Sequence, residues 1–169
     1  LYAGFGLNAA NVASVGVLAA QGCRSITLSP ELSLAQMRTI TQAMKAETAP
    51  LADTLCYGHL PLMLTRACPI KQVVKNCAEC KTRGYLTDRK GEHFKVNCQN
   101  GVREIYNPVP LWMADRLADL PTHTTTLWFT TETAKEASII LDAFVTGQKA
   151  SANFTRGLYG KGLSAPVPK

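Results

Sequence analysis

Gly22-Cys-Arg-Ser25-Ile-Thr-Leu-Ser29-Pro30-Glu31-Leu32-Ser33-Leu34-Ala35-Gln36 is the stretch that decides the fold class. A helix-stopping glycine, a short apolar strand and the start of a new helix follow one another with almost no loop. Residues 25–29 read as a buried strand. Ser33-x-x-Gln36 is a capping box that opens a helix to about Glu47, with Leu34, Met37, Ile40 and Met44 at helical spacing. Upstream, residues 1–7 read as a strand and residues 8–21 as a small apolar helix. Downstream, residues 52–57 read as a third strand ended by Gly58. Strand and helix recur about every 25 residues. That alternation predicts an α/β fold with a parallel sheet and right-handed crossovers. It fits the closing βα units of a (β/α) barrel or an open doubly wound sheet.

The rhythm breaks after residue 60. Residues 84–96 predict a hairpin turning at Asp88-Arg-Lys-Gly91. A helix is expected over 111–120, stopped by Pro121, then a strand over 124–130 and a helix over 133–146 with Gly147 at its end. The tail, 150–169, is rich in glycine and proline and is expected to wrap the surface. The chain therefore divides into βα units (1–60), a cysteine-rich module (61–110), a helix-strand-helix closing unit (111–149) and an extended tail (150–169).

Charge and sulfur collect in that second segment. The net charge is +6, and residues 66–95 supply +5 of it through Arg66, Lys71, Lys75, Lys81, Arg83, Arg89, Lys90 and Lys95 against Glu79, Asp88 and Glu92. Four of the six cysteines fall within 31 residues, as Cys68-x8-Cys77-x2-Cys80-x17-Cys98. Cys23 and Cys56 read as small core residues. Cys77-x-x-Cys80 puts two sulfurs within one turn, and the hairpin returns the chain to them at Cys98. Four thiolates so spaced suit a structural zinc or a [4Fe–4S] cluster, and spacing does not choose between them. Two disulfides, or four free core thiols, are the other readings. The basic surplus offsets the charge of bound thiolates as a solvated face, or it binds RNA or another polyanion.

The longest near-apolar run, 9–20, contains Asn11 and Ser14 and is far short of the roughly 20 residues a membrane span needs. The chain does not open on a basic n-region followed by an apolar h-region, so no signal peptide and a cytoplasmic protein are expected. Because Leu1 starts directly in an apolar segment, a preceding N-terminal part of the same protein is expected as a partner.

Neither H-E-x-x-H nor G-x-S-x-G occurs. In a barrel, chemistry sits at the C-terminal ends of the strands. His59 ends a strand and is the best general acid–base candidate, against a role as a hydrogen-bonded structural histidine. His93 and His123 read as surface. Asn8, Ser29 and Glu31 end the other strands; Glu31 suits a cation or a substrate hydroxyl, or else caps the next helix. Arg66 and Arg156 are candidate anion clamps. Gly4-x-Gly6-x-x-Ala9 imitates a dinucleotide fingerprint, but too little strand precedes it.

Tyr57-Gly-His-Leu-Pro-Leu-Met-Leu-Thr-Arg-Ala-Cys68-Pro69 resembles peptidase family U32, the collagenase-like proteases. Leu28-Ser-Pro-Glu-Leu32, Asp88-Arg-Lys-Gly91 and Phe154-Thr-Arg-Gly-Leu-Tyr159 extend the likeness over nearly the whole chain. It is nearest the C-terminal part of long members that carry an extra domain of unknown function. The resemblance implies a TIM-barrel-like fold, of which this is the closing portion. It implies a [4Fe–4S] cluster on Cys68, Cys77, Cys80 and Cys98, with Zn2+ as the alternative. It also implies hydroxylation of tRNA or rRNA bases, or of ubiquinone precursors, with RNA reached through the basic window. Peptidase activity is the alternative. His59 and Leu60 stand where the peptidase signature leads into a cysteine pair, so proteolysis transfers less well.

Overall fold

The structure, a computed structural model, describes residues 1–44, 49–71, 76, 84–99 and 101–161. Its first half keeps the expected alternation: β1 (Tyr2–Ala3), α1 (Val12–Ala20), β2 (Ser25–Thr27), α2 (Leu34–Ala43) and β3 (Leu51–Gly58). β1 pairs parallel with β2, and β2 with β3. β9 (Thr124–Leu127) also pairs parallel with β3, while β8 (Leu111–Trp112) pairs antiparallel with its far end. Asp53 stands between Thr27 and Thr124, and Tyr57 between Trp112 and Leu127. So β2 and β8 succeed one another along one edge of β3, and β9 runs along the other. The parallel strands thus stand as β1-β2-β3-β9, in sequence order and without reversal. No barrel closes among the described residues.

β3 is buried from Ala52 to Gly58, on both faces. That is the condition of a parallel strand covered on two sides. Ile26, Leu28, Met37, Leu55 and Leu111 fill the core around it with essentially no exposed surface. Asp53 interrupts this apolar run. Its Oδ2 accepts from the hydroxyls of Thr27 (2.7 Å) and Thr126 (2.6 Å), so one carboxylate stitches β2, β3 and β9. The last helix, α3 (Ala134–Val145), starts at a capping box in which Thr133 and Glu136 satisfy each other's backbone N–H groups.

A second, antiparallel sheet has the order β4-β7-β6-β5: β4 (Pro61–Thr65), β7 (Val102–Tyr106), β6 (His93–Gln99) and β5 (Tyr85–Thr87). The β5–β6 hairpin is the predicted one. Its turn is held by Asp88 Oδ1, which accepts from the backbone N–H of Lys90 (2.8 Å) and Glu92 (3.0 Å). β4 and β7 were not expected.

Four other expectations change. The strand over 1–7 shortens to Tyr2–Ala3, because a 3-10 turn (Phe5–Leu7) ending at a left-handed Asn8 (φ 50°) interrupts it. The helix over 8–21 begins only after Asn11, whose side chain caps Ser14 N–H. The helix over 111–120 is β8 followed by a 3-10 segment (Ala114–Asp119): Leu111 and Trp112 are drawn onto β3, and Arg116 departs from helical angles. The described part of the tail, residues 150–161, enters the core. Thr155 bridges Leu111, and Tyr159, 2% exposed, donates its hydroxyl to Leu55 O at 2.5 Å. No helix among the described residues is long and apolar enough to cross a membrane.

Candidate functional site

The C-terminal ends of the four parallel strands form one rim. β1 leads to Asn8, β2 to Ser29 and Glu31, β3 to His59, and β9 to Glu132. Asn8 and Glu31 are exposed. Glu31 N–H donates to Ser29 Oγ at 3.3 Å, which holds the turn. The structure brings His59 together with Glu132 rather than with Glu31.

Gly58 makes this junction possible. Its φ is +144°, and a Cβ there would meet Trp128 O at 2.7 Å and Trp128 Cβ at 3.2 Å. β9 can therefore leave β3 through Trp128 N–H, which donates to Tyr57 O at 2.9 Å. Trp128 packs edge-on against Phe5 (4.7 Å between ring centres) and Tyr106 (5.8 Å).

His59 is buried, and its Nδ1 lies 2.7 Å from Asn107 O. A carbonyl only accepts, so Nδ1 carries the proton in that bond and the neutral ring has a bare Nε2. Nε2 is 3.8 Å from Glu132 Oε1, too far for a hydrogen bond. Glu132 Oε1 accepts from Tyr57 OH (2.9 Å), and Oε2 accepts from the backbone N–H of Thr130 (2.7 Å) and Thr131 (3.0 Å). Burial alone would raise the Glu132 carboxyl. The Thr130 N–H, the Tyr57 hydroxyl and the Thr131 N–H outweigh it and hold the group below its ordinary value. Burial, and then the adjacent Glu132, push the Tyr57 phenol up. The array is thus an anionic carboxylate, a protonated phenol and an imidazole anchored through one nitrogen. Sequence reading missed Glu132, Tyr57 and Asn107. Only the strand-end position of His59 signalled this site.

The other candidates are placed elsewhere. Arg156 does grip a carboxylate in two places, and that carboxylate is Asp115 of the same chain (2.6 and 2.8 Å); its Nη1 also donates to Trp112 O. Arg66 is exposed, and its carbonyl accepts from Arg103 Nη1 at 2.6 Å.

Cys68 and Cys98 lie at the opposite end of the antiparallel sheet. Arg103 on β7 is flanked by Thr65 on β4 and Cys98 on β6, and Cys68 follows Thr65 by three residues. Both carry free thiols and neither is buried. Arg103 Nε, between the two strands, is fully buried and has no hydrogen-bond partner. The same guanidinium donates through Nη1 to Arg66 O and Gly101 O, at 2.6 and 2.8 Å, so it is one unpaired N–H on a cation beside the strand of Cys98 that would suit an anionic neighbour. Cys56 is unsuited to that role, because burial and then the Asp53 charge push its thiol up to about 12. Cys77 and Cys80, the other two expected ligands, lie outside the described residues. Among the described residues, no group of three or more His, Cys, Asp or Glu side chains is placed to share a metal ion. The chain matches no family model, no curated protein and no solved structure.

Proposed function

We propose that the chain is the closing portion of a TIM-barrel-like protein of the U32 peptidase-like group. In this reading Cys68, Cys77, Cys80 and Cys98 hold one [4Fe–4S] cluster, and the protein hydroxylates RNA bases. The unreversed strand order β1-β2-β3-β9 supports the barrel reading. The observation that carries the cluster reading is the buried, unpartnered Arg103 Nε between the β4 and β6 strands that lead to Cys68 and Cys98.

When bound, the cluster supplies one-electron chemistry. The chain's own residues shape its surroundings. Arg103, half-buried, places a cation on the strand between those that lead to Cys68 and Cys98. The surplus of lysine and arginine over 66–95 attracts a polyanion such as tRNA or rRNA.

Anaerobic purification tests this. The expected result is a brown protein absorbing near 400 nm with about four irons per chain, all lost in Cys98→Ser. A colourless protein with one tightly held zinc replaces the cluster with a structural zinc module. A metal-free protein of unchanged stability removes the centre altogether. Binding to tRNA or rRNA that weakens steeply with salt tests the partner, and cleavage of gelatin would favour the peptidase alternative.

A further inference from the structure

The geometry points to a proton-accepting site for a ligand O–H or N–H, formed by His59 Nε2 and Glu132 Oε1 where β3 and β9 end. We propose it independently of the cysteines, which lie at the other end of the antiparallel sheet.

Two observations carry it. First, the two acceptors are 3.8 Å apart and do not satisfy each other. Each is fixed from behind: His59 by Asn107 O, and Glu132 by Tyr57 OH and the N–H groups of Thr130 and Thr131. An interaction whose purpose was a structural ion pair would close that gap. Held from behind, the pair instead presents two acceptors to a third group. Second, the His59 side chain keeps about a tenth of its surface exposed, and its hydrogen bond among the described residues is made by Nδ1.

The chemistry balances within these residues. A ligand O–H or N–H places its hydrogen toward Nε2. That bond breaks, the proton joins Nε2, and the electron pair stays on the ligand oxygen or nitrogen. The resulting imidazolium is stabilised by the Glu132 carboxylate at 3.8 Å and by the Nδ1–H bond to Asn107 O. Tyr57 and Asn107 are positioning residues.

The chain has three histidines, and the other two, His93 and His123, are exposed. They serve as internal references for diethyl pyrocarbonate, which acylates a bare imidazole nitrogen. The proposal expects His59 in the intact chain to react at a rate comparable to His93 and His123, mapped by peptide mass spectrometry, despite its burial. Nitrogen-15 spectra should show the Nδ1–H tautomer. Glu132→Gln, which removes the carboxylate facing Nε2, should change the His59 rate by about threefold or more and leave the other two unchanged. A protected His59 or an Nε2–H tautomer overturns the site. A His59 rate indifferent to Glu132→Gln overturns the pairing. None of these readings depends on whether the cysteines bind iron.

Discussion

Replacing Gly58 by alanine should be among the most damaging single-methyl additions in this chain. The first cost is conformational. At φ +144° a Cβ-bearing residue sits in a region reserved for glycine, at about 1–3 kcal/mol. The second is steric. The new Cβ would lie 2.7 Å from Trp128 O and 3.2 Å from Trp128 Cβ. Neither atom is the free end of a flexible side chain, so backbone must move, at about 1–3 kcal/mol. Together these give about 4 kcal/mol, which for a chain of this size lowers Tm by about 8–16 °C. Gly16 supplies the opposite sign in the same experiment. It lies inside α1, and a Cβ there meets nothing within 4 Å. Gly16→Ala should therefore stabilise by about 0.5–1 kcal/mol. Urea unfolding followed by circular dichroism measures both against wild type. A Gly58→Ala protein within about 0.5 kcal/mol of wild type would refute the close approach of β9 to β3.

Three further outcomes are expected. Tyr159→Phe leaves Leu55 O, in the buried middle of β3, without its donor; it should cost about 1–3 kcal/mol in urea unfolding. Arg156→Leu should cost about 2 kcal/mol at pH 7, where it breaks the fork on Asp115. The Arg156 hydrogen bonds hold the Asp115 carboxyl below its ordinary value. A carboxyl lowered in the folded state adds stability above its unfolded pKa, about 3.9, and loses it as pH falls through the folded value. The difference between Arg156→Leu and wild type should therefore be full at pH 6–7 and shrink below about pH 4; thermal melts across that range check it. Anaerobic chelation should lower Tm in wild type and leave Cys98→Ser unaffected, because in such modules the energy of metal binding is energy of folding.

Local signals were legible where the physics is local. Ser33 with Gln36 marked the start of α2, and Thr133 the start of α3, through side chains that reach only three residues. Asp88 to Gly91 marked its hairpin in the same way, since the turn is made by its own side chain and a glycine at φ 83°. Long-range pairing hid the rest. Leu111-Trp112 carries no strand signal of its own and becomes β8 only because Gly58 and Tyr57 lie beside it, more than fifty positions earlier. Leu62-Met63-Leu64 is apolar throughout, yet β4 is an edge strand and exposes all three. Glu132 sits among threonines in a stretch that matches no catalytic motif. Its partners Tyr57 and His59 arrive through the parallel register of β9 on β3, which the residues around 132 do not encode.

β3 passes through Gly58, His59 and Leu60 into β4 without an intervening loop, and β7 returns along β4 so that Asn107 N–H donates to Leu60 O. β4 spans about 14 Å from Pro61 to Thr65, the four rises between five extended residues. Its near end follows His59, and its far end leads to the segment with Cys68, so one extended arm of the chain carries both candidate sites.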